Sequence, residues 1–491
     1  MNFRNKIFLQ STTLILIFFF SFCITPQATA NSLFGDFTVS DEIKLGKEFD
    51  KMVRSRLPII LDPQIDGYVK RLVARVAKHI PPQPFPIKAT VIRNNAMNAF
   101  AVPGGYVYVF TGLILNMKHE SELAAVIGHE LAHVTLRHAA RRIEKMKMVN
   151  MASMLGTLAG MLIGIAGGGA SMGNLGQAIA MGSLGGAQGA YLSYTQENER
   201  EADHLGMNYL VASGYNPQSM VDGFKVMKQR QWHMSNTNIP TYLSTHPGLD
   251  TRIAYLENRF TRMPPEYFKR KNDDAEFHKV QTLIRARLTS TDVALAYYLA
   301  IPEKERTCLD HLGLGIVYSR MKKNKKAEQE FKKANELCPG DPLILREEGR
   351  FYFNIGDMDK ASPLLHQAYL RAPTDAMTLF FIARIEGVRK NYKQAILTMR
   401  RVAEMVPHDQ EIHYHLGRML GESGHYFQAH AQLAYAAFYG RNMKQAQFHL
   451  RKAEGLAKTK KQREELKKLQ ETINPKPPEE QKEKNEKKKE E

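Results

Sequence analysis

The chain has 491 residues, more than one hydrophobic core typically holds, so its length predicts two domains joined by a linker. Its 68 Lys and Arg exceed its 50 Asp and Glu, and the net charge of +18 favours anionic partners such as a membrane surface or acidic proteins. Solvated charge with no dedicated partner explains the excess equally well, because Lys and Glu are mixed in the tail. No stretch resembles a nucleic-acid-binding module, so we expect no nucleic-acid partner.

Residues 1–30 are typical of a secretory signal peptide. Basic residues precede an apolar run, and a small-residue Ala-Thr-Ala site ends at Ala30, after which we expect cleavage. An uncleaved anchor helix is one alternative. A lipid anchor at Cys23 is another, which the bulky Phe22 before it disfavours. The mature protein is therefore expected outside the cytoplasm.

Residues 41–112 change from a helical to a β pattern. Residues 41–80 predict two helices, because apolar residues recur at intervals of three and four on either side of a turn at 61–63. Residues 86–112 are rich in β-formers around Pro-Gly-Gly at 103–105 and predict a small sheet. The edge of such a sheet can pair with an extended peptide. An ordinary hairpin with a Pro-Gly-Gly turn is the alternative.

The sequence HELAH places His129 and His133 four residues apart, with Glu130 beside the first. On a helix this spacing puts both imidazoles on one face, where they can bind one tetrahedral metal. Glu130 then projects to the side where a water on the metal would sit. Residues 122–146 favour a buried, amphipathic helix that contains this motif. The alternative is two packed or solvated histidines on an ordinary helix.

Residues 149–190 are rich in Gly, Ala and Met and almost free of charge. We favour a mobile lid or a membrane-peripheral helical hairpin near the active-site cleft over a buried helix pair. A membrane span is disfavoured, because the apolar stretch at 151–166 is short and rich in Gly.

A second helix is predicted to begin in the charged run at residues 196–203, which offers a third metal ligand. A catalytic zinc needs three protein ligands and one open position. Glu197, Glu199 and Glu201 all lie in this run, and composition alone does not distinguish them.

HELAH followed by Glu-Arg-Glu-Ala-Asp at 199–203 resembles the Glu-x-x-Ala-Asp element of the zinc peptidases typified by the CAAX prenyl protease and the heat-shock protease HtpX. Asn-Ala-Phe-Ala at 98–101, Pro-Gly-Gly at 103–105, Thr-His-Pro at 245–247 and Arg252 also match, so the resemblance covers residues 40–260. It implies one Zn²⁺ per chain. The residues that it implies are His129, His133 and Glu199 as ligands, Asp203 as the support of a ligand histidine, and Glu130 as the general base.

His246 lies in a loop-like Ser-Thr-His-Pro-Gly run, for which two roles stay open. It can stabilise the oxyanion, a role that Arg252 can also fill. Alternatively, its neutral nitrogen can occupy the fourth zinc position and keep the enzyme latent. His138 and His204 lie near the motifs, and we interpret them as surface residues.

Residues 306–457 repeat with a period of 34 residues, the tetratricopeptide pattern. Six positions of the first unit recur in the second: Gly315/Gly349, Tyr318/Tyr352, Ala327/Ala361, Phe331/Leu365, Ala334/Ala368 and Pro339/Pro373. Third, fourth and partial closing units follow. Such helix pairs predict an α-solenoid whose concave face holds a partner, a purely structural cap being the alternative. The register brings Cys308 and Cys338 to neighbouring helix ends, which predicts a disulfide in an oxidising compartment.

The predicted fold is mainly α, with a small β-sheet in a zinc peptidase domain at 31–270, a helical linker at 271–305 and the repeat solenoid. Residues 458–491 are predicted to be a charged, disordered tail. The combination resembles periplasmic members of the family from Gram-negative bacteria, which implies proteolysis of unfolded or misassembled envelope proteins and a role in outer-membrane β-barrel assembly. The repeats would then bind the outer-membrane assembly machinery. The alternative is a chaperone or assembly factor that acts mainly by binding, with a latent protease site.

Overall fold

The computed structural model describes residues 37–145, 155–156, 194–233, 242 and 246–474. The predicted signal peptide, Cys23, most of the 149–190 segment and the chain after residue 474 lie outside these ranges. Within the ranges described, no helix is both long enough and apolar enough to cross a membrane. The architecture is mainly α-helical with one small sheet, and a series of helix pairs follows it, as predicted.

Two helices open the described chain, α1 at Val39–Arg56 and α2 at Pro63–Ala77, as the sequence predicts. A capping box between Thr38 and Asp41 begins α1. Asp62 caps α2 by accepting hydrogen bonds from two backbone N–H groups, and Pro63 occupies the first turn, where its missing N–H costs nothing.

The sheet has three strands, β1 at Lys88–Ile92, β2 at Ala99–Val102 and β3 at Tyr106–Phe110, in the order β1-β3-β2. β2 and β3 form an antiparallel hairpin, and β1 joins β3 in parallel. Gly104 and Gly105 turn the hairpin with φ of +84° and +83°, a region that glycine adopts readily. The predicted hairpin is thus part of a larger sheet, and β2 is one of its edges.

The HELAH motif lies in α4, at Glu120–Thr135, which follows the short helix α3 at Thr111–Asn116. The predicted buried helix is confirmed, but it is neither amphipathic nor continuous over 122–146. Residues 120–134 are buried on all sides, because α2, β2 and the helices at Gln196–Ala212 and Gln218–His233 surround α4. The helix also ends before Arg137, whose φ of 52° is left-handed, and α5 begins at His138 and runs to Lys145.

Three further helices follow, α6 at Gln196–Ala212, α7 at Gln218–His233 and α8 at Leu249–Phe260. α6 crosses α4 at very close range. A Cβ at Gly206 would lie 2.9 Å from the backbone N and Cα of His129, so only glycine fits there. This contact brings the charged run at the start of α6 against the HELAH motif.

The predicted helical linker consists of α9 at Ala275–Leu288 and α10 at Thr291–Ala300. It packs firmly on the peptidase domain. The Gln281 side-chain amide donates hydrogen bonds of 2.8 Å to the carbonyls of Ile114 and Met117, and Phe277 is fully buried near Tyr68.

Helix pairs at the 34-residue period form the repeat domain. The helices are α11 (Cys308–Arg320), α12 (Asn324–Leu337), α13 (Pro342–Ile355), α14 (Met358–Arg371), α15 (Ala376–Val388), α16 (Tyr392–Met405), α17 (Gln410–Glu422), α18 (Tyr426–Tyr439) and α19 (Met443–Leu456). The recurrent Gly349 lies where a Cβ would be 2.7 Å from Leu365, so the period marks close crossings inside each pair. Cys308 and Cys338 form a disulfide, with Cα atoms 5.9 Å apart.

The prediction of a disordered tail from residue 458 is wrong for its first part. Residues Lys460–Ile473 form α20, which a capping box between Thr459 and Gln462 begins. Leu469 and Ile473 are buried against the last repeat helices. They lie four residues apart on one helix face, and this short apolar stripe is enough to dock an otherwise charged helix.

Candidate metal centre

Four buried side chains converge between α4, α6 and the loop before α8. They are His129, His133, Glu199 and His246, and one ligand atom of each lies within 4.8 Å of those of the other three. The spacing of four residues puts both α4 histidines on one face. A capping box between Thr195 and Asn198 starts α6 so that Glu199 falls in its first turn, facing them.

His129 presents Nε2 to the cluster, since its Nδ1 is engaged with Asp203. The distance from Nδ1 to Asp203 Oδ1 is 2.8 Å, the contact that the resemblance implies for this aspartate. Asp203 lies one helical turn after Glu199, and it also accepts a hydrogen bond from Tyr255. Burial by itself would raise the pKa of Asp203, but Arg252 and His129 outweigh burial and lower it. Asp203 is therefore ionised, and it holds His129 with the proton on Nδ1.

His133 is held in the same way through an intermediate histidine, which sequence analysis missed. His133 Nδ1 lies 2.8 Å from His138 Nδ1, and His138 Nε2 lies 3.0 Å from Glu201 Oε2. If His138 Nε2–H donates to the carboxylate, neutral His138 accepts at Nδ1 from His133. That tautomer leaves the lone pair of His133 Nε2 directed at the cluster. The interpretation of His138 as a surface residue is wrong, because it is only 3% exposed.

The three glutamates at the start of α6 point in different directions. Glu199 is fully buried in the cluster, Glu197 is exposed, and the Glu201 carboxylate contacts His138 instead. Glu197 and Glu201 each lie two residues from Glu199 and therefore on a different face of the helix. Only Glu199 can reach the α4 histidines. The contacts single out Glu199, as the resemblance implies.

Glu130 lies between the cluster and the free edge of β2. Its Oε2 accepts a hydrogen bond of 3.1 Å from the Ala101 backbone N–H, and its Oε1 lies 3.6 Å from His246 Nε2. Oε1 is buried with no hydrogen-bond partner among the described residues. Burial raises the pKa of Glu130, as suits a proton acceptor that must later donate.

His246 is the fourth member of the cluster. Its Nδ1 lies 2.9 Å from Glu199 Oε1 and 3.3 Å from His129 Nε2. The ring stacks on Tyr242 with centroids 4.4 Å apart. This placement among the ligand atoms favours the latch over the oxyanion role, because the nitrogen is already where a fourth ligand would be.

Arg252 is buried beside the carboxylates of Glu199 and Asp203. Two of its nitrogens contact the Asp203 carboxylate at 2.7 and 2.8 Å, and a third forms an ion pair with Glu199 at 2.6 Å. Its guanidinium also covers the Phe224 ring. The expectation that Arg252 stabilises an oxyanion does not fit these contacts, which orient the two carboxylates instead. His204 is half-buried and stacks on Tyr255, near the surface as expected.

The donor set suits zinc. Three imidazoles and one carboxylate are ligands that Zn²⁺ prefers, and four is the number of ligands that it usually takes. Glu199 Oε2 is buried and lies 2.6 Å from the Arg252 guanidinium. Burial would raise the pKa of Glu199, but His246 and Arg252 outweigh burial and lower it, so the carboxylate is ionised, as a metal ligand must be. A small cleft beside the cluster is lined by His133, Ala101 on β2 and Arg137.

Comparisons with known proteins agree with this geometry. The model of Peptidase family M48 matches residues 62–260. The chain is 32% identical to the β-barrel assembly-enhancing protease of Escherichia coli K12 over 246 residues, 50% of this chain and 49% of that protein. It is 31% identical to the putative β-barrel assembly-enhancing protease of Vibrio cholerae over 296 residues, 59% of each chain. The chain thus spans about half the length of these curated relatives.

Solved structures give a weaker likeness. A tetratricopeptide repeat protein from Parabacteroides merdae is 13% identical with a TM-score of 0.29, and the match covers 51% of this chain and 99% of that one. This similarity adds nothing about function.

Proposed function

We propose that the protein is a zinc-dependent endopeptidase acting on unfolded or misassembled envelope proteins, which the match of residues 62–260 to the model of Peptidase family M48 supports. The observation that supports this most is the cluster of His129, His133, Glu199 and His246, with Glu130 between it and the edge of β2. His129, His133 and Glu199 would hold the metal. When bound there, zinc supplies Lewis-acid polarisation of the scissile carbonyl and activation of a water.

The side chains of this site then have distinct tasks. Glu130 accepts the proton of the attacking water at Oε1 and delivers it to the leaving amine. An extended substrate pairs with the free edge of β2, where main-chain hydrogen bonds tolerate many sequences. The Ala101 N–H, which now donates to Glu130, lies on this edge. Asp203 and Arg252 keep the ligands oriented.

We infer that the protein works in the periplasm, in quality control of outer-membrane β-barrel assembly. The names of its relatives in Escherichia coli and Vibrio cholerae support the process. The Cys308–Cys338 disulfide supports an oxidising compartment. The repeats would bind the assembly machinery, and the segment at 149–190 would supply any peripheral membrane contact.

The Glu130→Gln variant tests the peptidase activity. We expect it to keep one zinc per chain, lose cleavage of an unfolded protein by at least about 100-fold, and still bind that protein. Zinc content by atomic absorption, cleavage on gels and co-purification measure the three effects. Full cleavage by this variant would show that the site is not the one proposed. If instead wild-type protein cleaves no unfolded substrate but binds it, the alternative, a binding-only assembly factor with a latent site, is favoured.

His246 tests whether the resting enzyme is latent. If it occupies the fourth zinc position, His246→Ala should degrade a model unfolded protein faster than wild type, by several-fold, because the position is then open to water. Thr245, the residue before it in the sequence, offers the Thr245→Ala control. Slower degradation at unchanged zinc content would mean that His246 contributes to the reaction instead of blocking it.

A further inference from the structure

Three arginines recur at one position of successive repeats, 34 residues apart: Arg350, Arg384 and Arg418. They lie on α13, α15 and α17, the first helix of each pair. The tetratricopeptide fold does not require an arginine here, since the corresponding residue of the first unit is Ile316. We refer to these three residues as the arginine ladder.

Buried aromatic rings pack against two of the three arginines of the ladder, Arg350 and Arg384. The Arg384 guanidinium lies 4.5 Å from the centre of the Phe353 ring on α13 and 5.4 Å from that of Phe380 on its own helix. Arg350 lies 5.5 Å from the centre of the Phe381 ring on α15. These distances lie within the range of cation–π attraction. Arg350 also lies 3.8 Å from Glu347 Oε2, whereas Arg384 forms no ion pair with any other described residue.

The ladder is poorly neutralised at its centre. Among the described residues, Arg384 contacts only rings, and the nearest carboxylate that affects it is that of the exposed Glu411. Burial, Arg384 and Arg418 together lower the pKa of His415 to about 4, so the positive field extends between these rungs. Arg418 is 53% exposed and pairs with Glu422 at 2.8 Å.

The inner end of the ladder lies at the junction with the peptidase domain. Burial and the neighbouring Arg287 lower the pKa of Arg350 to about 10. Arg287 belongs to α9 and forms an ion pair of 2.6 Å with Asp62, the cap of α2. A chain bound along the ladder would therefore run toward the peptidase domain.

We propose that the arginine ladder binds an extended acidic polypeptide segment, whose carboxylates pair with the guanidinium groups while its apolar side chains contact the exposed ring of Tyr414. This assigns a partner chemistry to the repeats, and it rests on the proposed function only in treating them as a binding surface. Charge complementarity determines the acidic character. Tyr414 is 45% exposed and lies close to Arg418, which favours apolar residues between the acids.

The spacing of the helices sets the spacing of the acids. Packed helices lie about 8–10 Å apart, and an extended chain advances about 3.3 Å per residue, so one carboxylate every third residue matches one rung. A peptide with Glu at every third position and Leu or Phe between should bind better than a peptide of the same composition with its Glu residues contiguous.

Fluorescence anisotropy of these two labelled peptides on full-length Glu130→Gln protein, which cannot cleave them, tests the proposal. Arg384→Glu should weaken the spaced peptide by about 10- to 100-fold, the range expected for charge-assisted hydrogen bonds. The affinity of Arg384→Lys should lie between those of the protein with Arg384 and of Arg384→Glu, because lysine keeps the charge but lacks the forked N–H groups of the guanidinium. Arg400→Glu makes the same charge change on an exposed residue of the second helix, α16, and should stay within about twofold.

Arg418→Glu serves as a second test in case Arg384→Glu fails to fold. Arg418 is half exposed, whereas Arg384 is more buried. Arg418→Glu should weaken binding as well, with an unchanged thermal unfolding curve. Equal affinity for the two peptides, or equal effects of Arg384→Glu and Arg400→Glu, would overturn the proposal. The proposal would also be overturned if vesicles of anionic phosphatidylglycerol bind in an Arg384-dependent way and the spaced peptide does not bind. Two further measurements on Arg384→Glu protein that retains Glu130 report separately on the proposed peptidase. These are its zinc content and its cleavage of short peptides.

Discussion

His138 illustrates how a residue without a ligand role can fix the chemistry of one that has it. It connects Glu201 to His133 through contacts of 3.0 and 2.8 Å, just as Asp203 contacts His129 directly at 2.8 Å. Both α4 histidines therefore have a partner at Nδ1, the nitrogen that faces away from the cluster. The partner of His129 is a carboxylate, and that of His133 is an imidazole which in turn contacts a carboxylate. Such partners raise the basicity of a ligand and fix its tautomer.

The His138→Ala variant should bind zinc about 10- to 100-fold more weakly, because His133 then loses the partner that fixes its tautomer. Competition with a zinc chelator measures the affinity. His204→Ala is the matched control, since His204 is half-buried and contacts Arg259 instead of a ligand. Glu199→Gln should lose the metal, whereas Glu201→Gln should keep it with a smaller loss of affinity. If His138→Ala and His204→Ala release zinc equally, His138 has no positioning role.

Among the elements, α4 shows what a sequence can predict and what it cannot. The spacing of His129 and His133 is a local property of a helix, so their common face follows from the sequence. The end of the helix does not, because Arg137 adopts a left-handed conformation at φ 52° with no glycine to signal it. His138 therefore appeared to continue α4, and its turn back toward His133 could not be foreseen. The burial of α4 on all sides depends on elements distant in sequence.

In the sheet and the repeats, too, features with a local sequence signal could be predicted and features that depend on distant residues could not. The β2–β3 hairpin has a local turn signal in Pro-Gly-Gly, and the repeat register follows from a period of 34, which also predicted the Cys308–Cys338 pairing. The parallel pairing of β1 with β3 and the packing of the linker on Ile114 and Met117 have no local signal. The α20 stripe was missed because its apolar residues are few among many charges.

At the scale of the whole molecule, a buried charge network joins the peptidase domain, the linker and the repeats. Arg287 on α9 pairs with both Asp62 and Glu347, and Glu347 also contacts Arg346 at 2.9 Å. Arg346 continues to Asp375 at 3.1 Å. A second link lies far away, where Arg441 donates a hydrogen bond of 2.8 Å to the Ser55 carbonyl. These contacts fix the repeats relative to the peptidase domain.

Glu347 makes this junction sensitive to acid. Burial alone would raise its pKa, but Arg287 and Arg346 outweigh burial and lower the pKa to about 2. The unfolded value is about 4.3, so the folded state binds fewer protons between these values. The stabilisation by Glu347 is therefore complete above about pH 4.3 and is lost as the pH falls toward 2.

Glu347→Gln should accordingly lower the free energy of unfolding at pH 7 by about 3 kcal/mol, and by much less near pH 2. Its neighbour Glu348 provides the control. Burial raises the pKa of Glu348, which means that its charged form is disfavoured in the folded state at pH 7. Glu348→Gln should therefore leave stability unchanged or increase it slightly. Urea unfolding of both variants at pH 7 and at low pH measures the difference, and an equal loss from both substitutions would show that packing, and not the charge of Glu347, holds the junction.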